Sequence, residues 1–370
     1  AAIEAAPPAD EVPMNDDLIE AVDPREEYVA CASALASGEA SVREDLRIVL
    51  TAMHGVGAAI TSRVLSEAGF SHVSLVAAQA DPDPDFPTVP FPNPEEAGAL
   101  DMAIEQAREQ GADLIIAVDP DADRCALAVP DPTSETGWRP LSGDQIGSLL
   151  GEFLASRGMK GSLANSIVSS RLLSRIARAH GLEHHTTLTG FKWIARAPGL
   201  GFGYEEAIGF CPDPAHVRDK DGIATSVVAA SLVAALKAQG RSVWDELERL
   251  ARLHGLHVSS PLTFRVEEIE QIASGMARLR AQPPSVLAGS PVVEVSDLSQ
   301  GYGGLPPTDG VLVLTEAGDR VIARPSGTEP KLKCYLEVIL PVTEGEPVPW
   351  EQARERLEAI KGAFAEIIGL

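Results

Sequence analysis

The sequence predicts an α/β protein: two consecutive α/β sheet domains followed by a smaller antiparallel α+β C-terminal domain. Up to residue 255, β-branched runs alternate with segments of helical periodicity, which is typical of sheets with helices packed on their faces. Beyond residue 255, strand-like runs surround a single helix and precede a C-terminal helix, which is typical of an antiparallel sheet. A length of 370 residues is enough for about two to three such domains, each with its own core.

The first α/β unit is predicted over residues 29–136. Its elements are a helix over 26–35, strands over 47–53 and 72–76 with a helix over 58–68 between them, a proline-rich loop over 81–94, a helix over 95–110, and strands over 113–118 and 125–130. Only six residues separate the last two strands, too few for a crossover helix, so these strands are expected to pair antiparallel. Residues 119–124 then form a tight loop at the carboxyl end of a buried strand.

The second α/β unit is predicted over residues 137–255, after a polar segment at 131–137 that is typical of a linker. Its elements are helices over 144–155, 172–180, 224–237 and 243–254, a short helix around Trp193, and strands near 162–168 and 201–205. The third unit, predicted over 256–370, contains strands over 258–266, 291–295, 311–315 and 332–340, a helix over 268–280, and a last helix that begins near Trp350.

Composition and charge exclude several classes of protein. Lys and Arg number 30 against 54 Asp and Glu, so the formal net charge is −24, which repels nucleic acids and anionic membrane surfaces. Hydrophobic residues make up 45%, enough for packed cores. The four cysteines form no CxxC pair, and the N-terminal residues lack the basic and apolar regions of a signal peptide. These features predict a cytoplasmic protein without nucleic-acid or membrane partners.

The sequence DPDADR carries three carboxylates at alternate positions, Asp119, Asp121 and Asp123. Alternate side chains of an extended backbone share a face, so the three oxygens can converge. Hard oxygen ligands at this density suit Mg²⁺. An EF-hand is excluded because Arg124 stands where its glycine is required, and a solvated acidic turn without a ligand remains the alternative.

The sequence RPSGTEPK, residues 324–331, is a candidate phosphate loop. Arg324, Ser326, Gly327 and Thr328 could surround an anion with a guanidinium group, hydroxyls and backbone amides, although an ordinary polar turn has the same composition. This loop lies more than 200 positions from DPDADR, so a substrate that both loops bind must occupy a cleft between domains.

Two further segments carry candidate substrate-binding residues. GYEEAIGF places Glu205 and Glu206 side by side at a strand end, where adjacent carboxylates suit hydrogen bonds to neighbouring sugar hydroxyls or simply begin a helix. Lys192 lies in TLTGFKW, a turn after a strand, where a lysine could complement a phosphate charge or carry a proton. The cations that could make a positive cleft within the acidic surface are Arg124, Lys192, Arg218, Lys220, Arg324 and Lys331.

Two other motifs are weak candidates. GVGAAI resembles a dinucleotide fingerprint, but Ile60 stands where the third small residue is required, so Gly55 and Gly57 are interpreted as turn and packing residues. His184 and His185 have no carboxylate or cysteine at ligand spacing, which disfavours a metal site there.

The segments TAMHGVG, DPDADR, TGFKW, GYEEAIGF, DKDG and RPSGTEPK, in this order, resemble the α-D-phosphohexomutase superfamily of phosphoglucomutases and phosphomannomutases. The resemblance covers nearly the whole chain from about residue 23. It implies domains arranged around a central cleft. It also implies a mutase that moves a phosphoryl group between the 1- and 6-positions of a hexose phosphate. This reaction uses a phosphoserine, Mg²⁺ and a bisphosphorylated sugar that is both intermediate and activator.

The resemblance also implies roles for individual residues. The three aspartates of DPDADR would hold Mg²⁺, Arg124 would face the transferring phosphoryl group, and Lys192 would lie near the reacting oxygen. Glu205 and Glu206 would bind sugar hydroxyls. The remaining substrate-binding positions would be Arg218, Lys220, Arg324, Ser326, Gly327, Thr328 and Lys331, with the loop 324–328 on the non-reacting phosphate. The partner implied is a small phosphosugar, and both a monomer and a homodimer are compatible with the sequence.

Two departures from the family pattern affect this interpretation. Ala207 stands where the usual sugar loop has serine, and the form GYEEAIG resembles the branch that includes phosphopentomutases and glucose-1,6-bisphosphate synthases. The Ser-His-Asn-Pro phosphoserine loop of the family's first domain does not occur in these 370 residues. We therefore expect residues 1–28 to be the tail of a missing first domain and a linker. We also expect the chain alone to bind metal and phosphosugar without turnover.

Three alternatives stay open at this stage. The chain could be a phosphopentomutase or a glucose-1,6-bisphosphate synthase of the same superfamily. It could be a phosphatase with Asp119 as the nucleophile, although the haloacid-dehalogenase type has Thr or Val where Asp123 stands. It could also be a sugar-phosphate-binding protein without turnover.

Overall fold

Three β-sheets organise the chain in the computed structural model, which describes residues 4–326 and 330–369. The first sheet has the strand order β2-β1-β3-β4-β5, with β1 parallel to β2 and β3, and with β3, β4 and β5 successively antiparallel. Its elements are α1 (Arg25–Ser33), α2 (Ala40–Glu44), β1 (Arg47–Thr51), α3 (Ala58–Glu67), β2 (His72–Leu75), α4 (Asp101–Gln110), β3 (Leu114–Val118), β4 (Cys125–Pro130) and β5 (Trp138–Pro140). The predicted antiparallel pairing of the two strands around DPDADR is confirmed.

The helix predicted over 95–110 is too long at its start. Residues 96–100 form turns instead, and α4 begins only at Asp101. Gly98 has a φ of +80°, a left-handed conformation that interrupts a right-handed helix. The proline-rich stretch before α4 therefore extends farther than predicted.

The second sheet has the order β7-β6-β8-β9, in which β6 is parallel to β7 and β8, and β9 returns antiparallel to β8. Its elements are α5 (Gly143–Ser156), β6 (Ser162–Ser166), α6 (Leu172–Ala179), β7 (His184–Thr187), α7 (Phe191–Ile194), β8 (Leu200–Glu205), β9 (Gly209–Cys211), α8 (Gly222–Ala238) and α9 (Val243–His254). Both α5 and α9 begin at capping boxes, Ser142 with Gln145 and Ser242 with Asp245.

Helix α8 joins the first two sheets into one hydrophobic core. It contacts α1 and α3 of the first unit as well as α5 and β9 of the second. Apart from Lys237 its residues are apolar or small, and 13 of the 17 are buried, as expected of a helix enclosed by other elements. The core that contains it extends from Val29 to Leu250. The domain boundaries at 136 and 255 stay a prediction.

The third sheet is antiparallel throughout, with the order β10-β15-β14-β13-β12-β11. Its elements are β10 (Leu256–Arg265), α10 (Ile269–Ala281), β11 (Val286–Leu287), β12 (Ser290–Asp297), β13 (Val311–Thr315), β14 (Arg320–Pro325), β15 (Lys331–Leu340) and α11 (Trp350–Ile368). Arg324 therefore lies in a strand, whereas the sequence placed it in a loop. Leu312 of β13 and Ile322 of β14 pack against Ile167 and Val168 of the second unit, so this sheet contacts the second unit directly.

None of the described helices is by itself long and apolar enough to cross a membrane. Helices α8 and α9 together meet that length and composition only as a pair bent by 92°.

Candidate active site

The loop between β3 and β4 brings the three aspartates together. Asp119, Asp121 and Asp123 each place a carboxylate oxygen within 4.8 Å of the other two. Among the described residues, they are the group of three possible metal ligands that lie this close together. The backbone is a turn rather than the extended segment predicted, because the Ala122 amide donates to the Asp119 carbonyl at 2.9 Å and Ala122 has a φ of +59°. The oxygens converge through this turn, not through alternation.

Two glycines let the chain approach this metal loop closely. A Cβ on Gly55 would lie 2.3 Å from the Pro120 Cα, and one on Gly222 would lie 2.4 Å from the Arg124 carbonyl oxygen. The Val56 amide donates to the Pro120 carbonyl at 2.9 Å. The GVG segment thus supports the metal loop by close packing, which agrees with its interpretation as turn and packing residues.

Arg124 holds the buried aspartate in place. Its backbone amide donates to Oδ1 of Asp119 at 2.9 Å, and its Nε donates to Oδ2 at 2.6 Å. Asp119 is only 1% exposed, and this burial raises the pKa of its carboxyl in spite of Arg124. A bound divalent cation would offset that cost. The donor set of three carboxylates, one of them buried, fits Mg²⁺.

Lys220 connects the metal loop with the glutamate pair. Its Nζ lies 2.8 Å from Oδ2 of Asp123 and 4.0 Å from Oε1 of Glu205. Burial opposes its charged form, but the hydrogen bond and charge of Asp123 prevail and raise the pKa of Lys220. Burial first, and then the neighbouring Glu206 carboxylate, raise the pKa of Glu205 to about 7.

A tight hairpin between β8 and β9 presents the glutamate pair beside the metal loop. Glu205 pairs with Gly209 across this hairpin, and Ile208 at its tip has a φ of +55°. The Cys125 amide donates to the Ile208 carbonyl at 3.1 Å, and Arg124 forms a β-bridge with Gly209. Backbone pairing therefore attaches the sugar loop predicted from the sequence directly to the metal loop.

Two serines that were not predicted as site residues donate hydrogen bonds to Glu206. Ser166 and Ser169 donate their hydroxyls to Oε2 of Glu206 at 3.0 Å and 2.9 Å. A Cβ on Gly143, at the start of α5, would lie 2.0 Å from the Glu206 carbonyl, so this glycine lets the helix approach the hairpin. The run NSIVSS at the end of β6 is the available signal, since small hydroxyl residues at the carboxyl end of a strand lie at the site edge of the sheet.

We name residues 166–170 the serine loop. A polar network supports this loop from the C-terminal domain. We name it the junction network; its side chains are those of Asp144, Ser170, Arg171, Tyr204, Ser259, Arg320 and Glu337. Glu337 accepts from the Ser170 hydroxyl at 2.7 Å and from the amide and Nε of Arg171 at 2.8 Å and 2.6 Å. Burial alone would raise the pKa of Glu337, but Arg320 and Arg171 overcome it and lower that pKa to about 2.

Two further members of the junction network fix the serine loop and the hairpin. Arg320 donates to the carbonyls of Ile167 and Ser169 at 3.0 Å and 2.6 Å. Asp144 accepts from the Tyr204 hydroxyl at 2.9 Å and from the Ser259 hydroxyl at 2.5 Å. Burial raises the pKa of Asp144 to about 6. The position of Glu206 therefore depends on contacts that cross to the third sheet.

The phosphate loop is only partly described. The Ser326 amide donates to the Lys331 carbonyl at 2.8 Å, so the backbone pairing of β14 with β15 continues past Pro325. Gly327 and Thr328 lie outside the described residues. Arg324 pairs with Lys333 across the two strands, which adds a second cation that the sequence analysis did not select.

The electrostatic environment of Glu95 includes charges from all three units. Its side chain is solvent-exposed, but surrounding protein raises the pKa of its carboxyl, and the charges of Arg124, Glu206 and Lys333 act on it. These residues come from the metal loop, the sugar loop and the C-terminal domain, respectively. Burial raises the pKa of the Tyr335 hydroxyl, the charge of Glu206 raises it further, and the charge of Arg324 opposes this.

Two predicted site residues are not brought into contact with the others. Lys192, in α7, and Arg218, before α8, are exposed and make no hydrogen bond or ion pair with other described residues. Lys192 follows the carboxyl end of β7, at the same edge of the sheet as Glu205. His184 instead hydrogen-bonds the Asn165 side chain at 3.0 Å.

Comparison with known proteins identifies the family. Residues 26–133, 142–253 and 264–339 match the phosphoglucomutase/phosphomannomutase alpha/beta/alpha domain II, alpha/beta/alpha domain III and C-terminal domain. A probable phosphomannomutase of Haemophilus influenzae is 44% identical over 329 residues, which cover 88% of this chain and 65% of that protein. A phosphoglucomutase of Staphylococcus aureus is 34% identical over 323 residues, 81% of this chain and 58% of that protein. The chain thus spans less than two thirds of the length of either relative.

Solved structures share the fold. A putative phosphomannomutase from Thermus thermophilus superposes with a TM-score of 0.66 at 24% identity, over 92% of this chain and 67% of that one. The phosphoglucomutase parafusin from Paramecium superposes with a TM-score of 0.69 at 19% identity, over 95% of this chain and 64% of that one. The chain belongs to the phosphoglucomutase/phosphomannomutase family of the α-D-phosphohexomutase superfamily.

Proposed function

We propose that this chain forms the metal-, sugar- and phosphate-binding part of a phosphohexomutase, which moves a phosphoryl group between the 1- and 6-positions of a hexose phosphate. The observation that carries the proposal is the backbone pairing of Arg124 with Gly209, which joins the acidic triad to the glutamate pair. Family membership supports the mutase over the aspartyl-phosphatase alternative.

At the metal loop, Asp119, Asp121 and Asp123 would hold Mg²⁺, which when bound neutralises charge on the transferred phosphoryl group. Arg124 orients Asp119 through two hydrogen bonds, and its remaining N–H groups are suited to the phosphoryl oxygens. Lys220 balances the charge of Asp123 and keeps a cation next to Glu205.

At the sugar loop, the two glutamates have different tasks. Oε2 of Glu206 is saturated by Ser166 and Ser169, whereas Oε1 accepts no hydrogen bond from other described residues and is free to accept from a sugar hydroxyl. A pKa of about 7 lets Glu205 either donate or accept a hydrogen bond near neutral pH.

At the phosphate loop, the non-reacting phosphate would be bound by Arg324, Ser326, Gly327 and Thr328. Lys331, Lys192 and Arg218 would add positive charge around the substrate. Holding the sugar by its distant phosphate lets either end be presented to the metal loop after the intermediate turns over.

The phosphoryl group would pass from a phosphoserine to the free hydroxyl of the sugar monophosphate: the serine O–P bond breaks, the sugar O–P bond forms, and the proton of the sugar hydroxyl goes to the released serine oxygen. The other phosphate of the resulting bisphosphate would then return to the serine, whose ester is regenerated. These 370 residues contain no Ser-His-Asn-Pro segment. We therefore propose that the chain on its own binds the substrate but does not isomerise it.

Calorimetric titration of the 370-residue chain with glucose, mannose and ribose 1-phosphates in Mg²⁺ tests the proposal and ranks the sugars. Glu206→Gln is expected to weaken binding at least about tenfold, because a hydrogen bond to a charged group is worth about 1.5–3 kcal/mol. The matched control is Glu27→Gln, an exposed glutamate without a partner among the described residues. Equal affinity of both variants would contradict the sugar-binding role.

An activity assay of the same chain tests the second half of the proposal. No conversion of glucose 1-phosphate to glucose 6-phosphate is expected, even with glucose 1,6-bisphosphate added. Substantial conversion would show that these residues suffice for turnover. A preference for ribose 1-phosphate in the titration would favour a phosphopentomutase instead.

A further inference from the structure

A polar depression lies on the helices of the second unit, apart from the metal and sugar loops. Its volume is about 550 Å³, and α5, α6 and α9 line it. We name it the basic groove, lined principally by Glu152, Arg175, Arg178, His180, Arg249 and His254. Helix α6 starts beside the serine loop, at the carboxyl edge of the sheet, and runs back for eight residues. Arg175 and Arg178, its fourth and seventh residues, therefore lie about 5 Å and about 9 Å along the helix axis from its first residue.

The single carboxylate among the lining residues is already saturated. Glu152, 7% exposed, receives the Arg249 guanidinium on Oε1 at 2.5 Å and the His180 Nε2 on Oε2 at 2.9 Å. Arg249 is also bonded to Glu246 at 2.7 Å. These groups neutralise one another, so none of them balances the remaining arginines.

Arg175 and Arg178 are those remaining arginines. They stand three positions apart on α6 and are exposed, and neither makes a hydrogen bond or ion pair with any other described residue. The chain carries 54 acidic against 30 basic residues, so two adjacent unpaired guanidinium groups on one groove are a local excess of positive charge. Residues three apart on a helix are neighbours, so both forks can face one ligand.

The electrostatics of His254 agree with the shared lining of the groove. Burial lowers the pKa of His254, and the positive charges of Arg249, His180 and Arg175 lower it further against the opposing effect of Glu152. The cations thus act on a common point between α6 and α9. At the rim, Leu253 is 61% exposed and offers an apolar contact.

We propose that the basic groove is a binding site for a small phosphate-bearing anion, separate from the candidate active site. Planar guanidinium forks pair with phosphate oxygens through two parallel hydrogen bonds. The volume is that of a small-molecule pocket, about 300–1,000 Å³, and the net charge of −24 repels a nucleic acid. The ligand is therefore a small phosphate compound, with Arg175 and Arg178 as its main contacts.

The test is a titration of the 370-residue chain with inorganic phosphate at constant ionic strength, followed by NMR of the histidine side chains. We expect saturable shifts of the His180 and His254 signals. In the double variant Arg175→Gln/Arg178→Gln these shifts should require at least about tenfold more phosphate. The control Arg108→Gln, on α4, removes another exposed arginine that has no partner among the described residues, and it should leave the shifts unchanged.

Three results would overturn the proposal: no saturable shift, equal affinity in wild type and double variant, or the same shifts with sodium chloride alone. A double variant Arg175→Lys/Arg178→Lys keeps the charge and should restore part of the affinity, which separates loss of binding from loss of folding.

A second arm identifies the source of the phosphate. Glucose 6-phosphate that shifts the two histidines at lower concentration than inorganic phosphate would assign an organic phosphate ester, and the reverse would assign free phosphate. Because the histidine signals report on the groove alone, this result does not depend on sugar binding at the candidate active site.

Discussion

The metal loop and the junction network both contain several carboxylates, but they differ in how far neighbouring groups of the protein satisfy them. In the junction network, the buried carboxylates of Asp144 and Glu337 are each surrounded by hydrogen-bond donors. In the metal loop, three carboxylates lie within 4.8 Å of one another, and Arg124 and Lys220 balance them only partly. A satisfied buried carboxylate holds two domains in one geometry, whereas a cluster of facing carboxylates is suited to binding a divalent cation.

The pKa values of Glu337 and Asp119 express this difference, whereas Asp144, whose hydrogen-bond donors among the described residues are an amide and two hydroxyls, has a raised pKa like that of Asp119. Arg320 and Arg171 lower the pKa of Glu337 to about 2, although Glu337 is fully buried. Asp119 is equally buried, yet its pKa is raised. The protein stabilises the first charge with its own cations and leaves part of the second charge to be stabilised by a ligand.

The largest expected effect comes from breaking the junction network at Glu337. Glu337→Gln leaves Arg320, 7% exposed, without its counter-charge, and such a loss costs about 3–5 kcal/mol. Denaturant unfolding measures the change. The control Glu26→Gln removes an exposed ion pair with Arg63 and should cost under about 1 kcal/mol. Similar losses in both variants would contradict the assigned importance of the network.

The next effect concerns the metal loop. Mg²⁺ at about a hundredfold excess over its Kd should raise the free energy of unfolding by about 2.7 kcal/mol, because it binds the folded chain. Asp121→Asn should abolish most of this increase, and removal of the metal with a chelator should reverse it in the wild type. Asp81→Asn, an exposed aspartate in the proline-rich loop, serves as control. An undiminished Mg²⁺ effect in Asp121→Asn would exclude the triad as the site.

A pH series sharpens the comparison further. The pKa of Asp144 is about 6 in the folded protein and 3.8 ordinarily, so the folded protein binds this proton more tightly than the unfolded chain does. The stabilisation is fully present below about pH 4 and is lost as pH rises through about 6, at most about 3 kcal/mol in all. Asp144→Asn should remove this slope from unfolding curves measured between pH 4 and 6. An unchanged slope would assign it to other groups.

The smallest effect is expected at Tyr204. Tyr204→Phe removes the hydroxyl that donates to Asp144 at 2.9 Å and leaves the aromatic packing in place. The expected loss in unfolding free energy is about 1 kcal/mol, the net value of one hydrogen bond. A loss as large as that of Glu337→Gln would mean that the network fails as a unit once any donor is removed.

Much of the candidate site could be predicted because its motifs are local. DPDADR and GYEEAIGF each form one loop next to a strand end, so residue type and spacing already indicate a metal-binding and a sugar-binding chemistry. Even there, the turn at Ala122 differs from the extended backbone predicted. The predicted start of α4 was wrong for a similar reason, since Gly98 adopts a left-handed conformation that periodicity does not reveal.

The residues that support the site could not be predicted in the same way. Ser166 and Ser169 contact Glu206 across 40 and 37 positions, and Arg320 reaches the Ser169 carbonyl across 151. Nothing in the local sequence around Arg320 or Glu337 distinguishes them from surface residues. Only the docking of the third sheet onto residues 167–171 buries them and makes their pairing necessary.

The sequence by itself determined the two α/β units, the antiparallel third unit and the loops that carry the chemistry, because strand and helix periodicity and short motifs are properties of neighbouring residues. Tertiary structure alone decided which oxygen of Glu206 accepts the two serine hydroxyls and why Glu337 remains charged. It also decided where α5, α6 and α9 form a groove in which two arginines have no partner among the described residues. Those outcomes depend on burial and on charges from distant segments, and these arise only when the segments pack together.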